Sequence, residues 1–283
     1  MSIFRFRKFS VDSGECAMKV GTDAVILGAA VTLPSMGNAV QASPDAPSLA
    51  GNSPSHSPAD ALSGHRGIAV LDAGCGSGVI ALMAAQRLEA AGFREYDITG
   101  VEIDGLAAEQ AGRNFAASPW SGHLKCLNVN ILNFAPKTAY DLIVSNPPYY
   151  DDSLLPPDSR RSTARHTGGD AFGYPQLLEF AASGHLRADG ILALILPHQE
   201  LTRLLRLAAS YGLHAARLLH VRTTPSKEPS RLVAEFTLDT ASGKAAGITP
   251  TEEYLTIQDA SRFPQNKNSW TDEYLALTRE FYL

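Results

Sequence analysis

The run Ser145-Asn146-Pro147-Pro148-Tyr149 carries the most specific chemistry in the chain. An exocyclic amine conjugated to a ring or a carbonyl is a poor nucleophile because its lone pair is delocalised. Two acceptors placed on its two N–H bonds draw the nitrogen toward tetrahedral geometry and restore that lone pair. Asn146 can supply its side-chain carbonyl and Pro147 its backbone carbonyl. The prolines fix φ and push Asn146 out of the helical region, so the acceptors are oriented before a substrate arrives. Tyr149 adds a ring on which a planar, extruded base can stack.

A second constellation lies upstream, in VLDAGCGSG (70–78). Gly74, Gly76 and Gly78 allow a sharp turn and a close approach of backbone to ligand, at the start of a helix with unpaired N–H groups. Asp72 ends the preceding strand, where it would repel a pyrophosphate and welcome a cationic amino-acid end. The spacing is G-x-G-x-G, whereas a dinucleotide site needs G-x-G-x-x-G. About thirty residues on, in GVEID (100–104), Glu102 is placed to take both hydroxyls of a ribose, while Asp104 suits the cap of the helix that begins at Gly105. Asn130 is a candidate for the edge of an adenine, with Ile131 packing on its ring. A turn role for Asn130 fits the sequence equally well.

These residues need a scaffold that brings strand ends together. The apolar runs at 68–72, 97–102, 140–145 and 191–197 read as buried parallel strands, with a weaker one at 123–129. Helical patterns at 79–91, 105–117 and 174–186 alternate with them. Such alternation predicts an α/β, doubly wound sheet with helices on both faces. The runs 214–222 and 231–238 flank a turn-rich TTPSKEPS and read as an antiparallel hairpin at the sheet edge. The expected architecture is a seven-stranded, mostly parallel Rossmann-like sheet of the class I methyltransferase type. The Asn146 motif then follows the fourth strand, in the crevice where such sheets bind ligands.

Composition narrows the partners. The chain has 283 residues and a net charge of −5, so a global positive field cannot drive binding to nucleic acid. Two local clusters can: Arg5, Arg7 and Lys8, interleaved with phenylalanines, and Arg160, Arg161 and Arg165 with His166. Three cysteines and eight histidines show no zinc spacing and no disulfide framework. No apolar run is long enough to span a membrane, and the N-terminus lacks a secretory core, which places the chain in a reducing cytoplasm. Residues 37–66 are rich in Ala, Ser, Pro and Gly, and are expected to form a disordered insertion between an N-terminal arm and helix (1–36) and the main domain (67–283).

With these residues in place, the chain resembles the bacterial tRNA1(Val) adenine-N6 methyltransferases. The likeness begins with FRFRKFSVDSGECAMKVGTDAVILGAAV (4–31), runs through VLDAGCGSG, VEID and VSNPPYY, and ends in WTDEY…FYL (270–283). It covers nearly the whole chain apart from 37–66. It implies S-adenosylmethionine as methyl donor, an adenine beside the anticodon as acceptor and tRNA as partner; a monomer is the expected oligomeric state, and the histidine spacing leads to no expectation of a metal. An activated sulfonium donor asks for alignment and amine polarisation rather than a covalent intermediate. The resemblance also implies that Lys19, Thr22 and Asp23 lie near the donor, although Thr22 equally suits the N-cap of the following helix. Two alternatives stand beside it. An NPPY-type enzyme acting on rRNA or a protein glutamine is one, but the glutamine enzymes carry a helical bundle for which the roughly thirty residues before the insertion leave no room. A non-catalytic nucleotide-binding module is the other, and it has no need of both a donor pocket and amine acceptors.

Overall fold

The computed structural model describes residues 2–34, 67–148, 172–238, 249–262 and 268–282. The segment 37–66, and with it Tyr149, Arg160, Arg161, Arg165 and His166, lies outside the described residues. Among the described residues the apolar runs, joined by one polar strand, form an eight-stranded sheet: β3 (Ile68–Ala73), β4 (Tyr96–Glu102), β5 (Leu124–Asn128), β6 (Tyr140–Ser145), β7 (Leu186–Pro197), β8 (Leu213–Arg222), β9 (Arg231–Leu238) and β10 (Thr251–Thr256). A short hairpin of β1 (Ile3–Arg5) and β2 (Ser10–Asp12) precedes it. The sheet order is β10-β8-β9-β7-β6-β3-β4-β5, parallel throughout except that β9 runs against both neighbours. Continuous apolar runs mark strands covered on both faces, and every residue of β6 is buried.

Two expectations about the sheet change. It has eight strands rather than seven, and the antiparallel pair does not form its edge. β9 inserts between β7 and β8, and β10 pairs in parallel with the outer side of β8. The sequence of β10, TEEYLT, has one buried residue, Leu255, and no apolar alternation to announce it. Its charged, exposed residues are what an edge strand carries to discourage further pairing.

Helices α1 (Thr22–Ala30), α2 (Val79–Ala90) and α3 (Gly105–Ala116) contribute to one core layer. Phe6, Phe9 and Val11 of the N-terminal hairpin and Tyr274 and Phe281 of the C-terminal segment share that layer. Helices α4 (Tyr174–Phe180) and α5 (Leu201–Ser210) contribute to the opposite layer. A final helix, α6 (Asp272–Thr278), is capped by Thr271, whose hydroxyl accepts from the Tyr274 N–H at 3.1 Å. The helix expected over 174–186 stops at Phe180. A single wide turn follows, with Gly184 in the left-handed region at φ +92°, and β7 starts at Leu186, earlier than its apolar pattern suggests. Thr22 is not the cap of α1. Extended Gly21 holds that position, no side chain caps the helix, and Thr22 is already its first helical residue.

Candidate active site

The carboxyl ends of β3, β4 and β6 meet where the strand order reverses, with β4 on one side of β3 and β6 on the other. In parallel register Asp72 lies opposite Gly100 on β4 and opposite Val144 on β6. The residues following each strand, Gly74, Ile103 and Asn146, therefore emerge at one level, with neighbouring strands about 4.8 Å apart.

The glycine loop turns back at once. The N–H groups of Gly74 and Cys75 both donate to the Val101 carbonyl, at 2.8 and 3.1 Å. Gly78, at φ +78°, tucks under Phe115, whose ring a Cβ would meet at 2.3 Å. At Gly76, also at positive φ, a Cβ would meet nothing within 4 Å. The loop is thus packed from behind at Gly78 and bare at Gly76, where a ligand can lie directly on the backbone.

Asp72 is fully buried at the base of this loop. One oxygen, Oδ2, accepts from the Ala81 N–H at 3.0 Å, and Oδ1 is buried with no hydrogen-bond partner among the described residues. Burial pushes its carboxyl up to about 7, the Glu102 charge adds to the rise, and the Ala81 N–H opposes it. A buried carboxylate oxygen left open is costly, and a cationic group is what satisfies it. The acidic end of β3 therefore fits the cationic amino-acid end of S-adenosylmethionine.

Glu102, half-buried, bridges the two strand ends. Its Oε2 accepts from the Gly76 N–H at 2.9 Å and its Oε1 from the Asp104 N–H at 3.0 Å. Each oxygen keeps a second acceptor site, as a pair of ribose hydroxyls requires. Asp104 caps α3, accepting from the Ala107 N–H at 2.9 Å, as its position predicts. Asn128 secures the turn by donating to the carbonyls of Glu102 and Ile103 at 2.9 and 3.0 Å. Asn130 holds a turn of its own, its side chain accepting from the Leu132 N–H at 3.0 Å. Ile131, one residue on, is buried in the core layer of α4 and α5.

Ser145, which ends β6, is buried, and its hydroxyl donates to the Ala73 carbonyl at 2.7 Å. That bond ties the start of the Asn146 motif to the start of the glycine loop. Asn146 is half-buried, Pro147 buried and Pro148 exposed. Phe172, which nothing in the sequence pattern singles out, lays its ring against Gly74, where a Cβ would meet it at 2.9 Å.

The N-terminal segment divides. Lys19 folds back on its own turn, donating to the carbonyls of Ser13, Gly14 and Cys16 at 2.6, 3.2 and 3.4 Å. Burial pushes the neighbouring Cys16 thiol up to about 11, with the Glu102, Asp104 and Asp12 charges adding and Lys19 opposing. Thr22 and Asp23 line a cavity with Arg231, whose Nε donates to Asp23 at 2.8 Å. Arg5, Arg7 and Lys8 are exposed on the hairpin while Phe6 and Phe9 anchor it. Cys75 and Cys126, 51 residues apart, come within 3.7 Å as free thiols. Among the described residues no group of three His, Cys, Asp or Glu side chains is placed to hold a metal, and no helix is long and apolar enough to cross a membrane.

A family model described as "Methyltransferase small domain" matches residues 59–157. The chain is 36% identical to the tRNA1(Val) (adenine(37)-N6)-methyltransferase of Photobacterium profundum, over 99% of this chain and 98% of that one. It is 38% identical to the protein of the same name from Porphyromonas gingivalis, over 99% and 94% of the two chains. Among solved structures, a predicted O-methyltransferase from Agrobacterium tumefaciens superposes with a TM-score of 0.52 at 16% identity, covering 77% of this chain and 92% of that one, a likeness of fold.

Proposed function

Because the chain belongs to the family of tRNA1(Val) (adenine(37)-N6)-methyltransferases, we infer that it transfers a methyl group from S-adenosylmethionine to the N6 amino group of adenine 37 in tRNA1(Val). S-adenosylmethionine supplies the methyl as part of a sulfonium, already activated toward a nucleophile. The chain's residues then have three tasks. Asp72 and the bare backbone at Gly76 hold the donor's amino-acid end, and Glu102 accepts from its ribose. Asn146 and the Pro147 carbonyl accept from the two N–H bonds of the adenine amine, which localises its lone pair on nitrogen. Tyr149 stacks on the extruded base.

Two observations support this reading: the Ser145–Ala73 bond and the Asp72–Val144 register, by which the segment that starts with Asn146 leaves its strand level with the glycine loop, one strand away. Donor and acceptor can then meet without a covalent enzyme intermediate. Of the residues that the resemblance associates with the donor, Lys19 holds its own turn through the carbonyls of Ser13, Gly14 and Cys16. Thr22 and Asp23, which face the Arg231 cavity, suit the acceptor side better. We place the enzyme in the cytoplasm, with tRNA as its partner.

The test is mass spectrometry of nucleosides from tRNA incubated with enzyme and donor. N6-methyladenosine at the position after the anticodon is expected. Methyl groups appearing on rRNA or on a protein glutamine, with none on tRNA, would overturn the assignment.

A further inference from the structure

A cavity of about 360 Å³ opens beside the N-terminus of α1, between the end of β8, the start of β9 and the C-terminal segment. This is within the range of about 300–1,000 Å³ in which small ligands bind. Its aromatic wall is Trp270, half-buried and stacked on Tyr282 with centroids 5.3 Å apart and planes 20° apart. Its polar wall carries Thr223, Ser230 and the Asp23–Arg231 ion pair.

Its position links it to the proposed acceptor side. Arg231 pairs with Pro197 at the carboxyl end of β7, just as Ser145 pairs with Leu194 lower on the same strand. The cavity therefore opens on the same sheet edge as Asn146. β9 is two strands from β6, about 10 Å away. The outer side of the aromatic wall meets the cationic hairpin: Phe6 stacks on Tyr282 at 6.4 Å, the Arg7 N–H donates to the Phe281 carbonyl at 2.9 Å, and the Arg7 side chain donates to the Tyr282 carbonyl. An aromatic platform flanked by exposed cations is how proteins hold unstacked single-stranded nucleic acid.

We propose that this cavity holds a nucleotide neighbouring the target adenine, its base stacked on Trp270 and its backbone running toward Arg5, Arg7 and Lys8. The proposal rests on the reading of the chain as an RNA methyltransferase. It gives Thr22 and Asp23 a place in substrate recognition, and it explains how an acidic protein can grip RNA: one base is captured while a few phosphates are neutralised.

The test uses the full chain and an anticodon stem–loop RNA, either intact or abasic at the nucleotide on either side of the target. Affinity is read by fluorescence anisotropy, and methyl transfer in a single turnover. Trp270→Ala should weaken the intact RNA about tenfold or more, and Trp270→Phe should restore most of that loss. Removal of the matching base should cost wild type a similar factor and cost Trp270→Ala nothing further. Thr223→Phe, which fills the cavity from a loop, should reproduce the loss even if Trp270→Ala folds poorly. Affinity for S-adenosylhomocysteine should stay unchanged in the Phe variants. Equal abasic penalties in wild type and variants, or loss of S-adenosylhomocysteine binding in Thr223→Phe, would overturn the cavity assignment alone. Failure of the wild-type enzyme to methylate the intact RNA would overturn the functional reading, and this inference with it.

Discussion

Lowering the pH should release the donor through Asp72. Burial above all pushes this carboxyl up from 3.8 to about 7. Linkage gives the sign for stability: the folded carboxyl holds its proton more tightly than the unfolded one. Its contribution is complete below about pH 4 and is lost as pH rises toward about 7. The difference, about three units at roughly 1.4 kcal/mol each, is on the order of 4 kcal/mol. A cationic donor end needs the ionised form, so affinity should follow the ionised fraction. It should be level above about pH 8 and about 30-fold weaker at about pH 5.5. Calorimetry with S-adenosylhomocysteine, in two buffers of unlike ionisation heat, reads both the affinity and the proton released on binding. Asp72→Asn should abolish the pH dependence and weaken binding, yet raise the melting temperature of the ligand-free protein at about pH 8, because the buried charge is gone. An affinity flat from about pH 5.5 to about pH 8, or wild-type affinity in Asp72→Asn, would refute the pairing of Asp72 with the donor.

Glu102→Ala should forfeit about 2–4 kcal/mol of affinity for S-adenosylhomocysteine, measured by calorimetry, since two charged hydrogen bonds to the ligand go with it. Replacing residues 37–66 by a short Gly/Ser linker should shift stability by less than about 1 kcal/mol, because their composition offers little apolar surface to bury; a large fall in melting temperature would contradict this. Neutralising Arg5, Arg7 and Lys8, or Arg160, Arg161 and Arg165, should weaken tRNA binding and flatten its salt dependence, with donor binding intact. The log–log slope should fall by about 0.7–0.9 for each phosphate that is no longer neutralised. Identical slopes in wild type and both variants would place the footprint elsewhere.

What could be read from the sequence was whatever strand ends and turns dictate locally. β3, β4 and β6 are apolar runs that close on Asp72-Ala73, Glu102 and Ser145, and a parallel sheet leaves those ends at one edge. Asp104 caps its helix because it sits three residues before the Ala107 N–H, within reach of its side chain. What escaped depends on partners distant in the chain. The edge strand β10 is polar, and its pairing with β8 has no local signature. The place of Asp23 is set by Arg231, 208 residues away. The packing of Phe172 on Gly74 joins residues far apart in the chain, which no periodicity encodes. The amphipathic α5 is readable in principle, from Leu204 and Ala208 four residues apart on one face, but its signal is overshadowed by the two stronger strand runs beside it.

The most direct test of the account is single-turnover transfer of labelled methyl to tRNA by Asn146→Ala, with chromatographic identification of the nucleoside. Loss of one of two acceptors in a desolvated site should slow transfer by about 10²–10³, comparable with removing one oxyanion-hole donor. Folding and donor affinity should remain as in wild type. Tyr149→Ala should instead mainly weaken substrate engagement, by about 1–3 kcal/mol, with Tyr149→Phe mild. Transfer by Asn146→Ala at the wild-type rate, or a product other than N6-methyladenosine, would contradict the claim that Asn146 polarises the adenine amine.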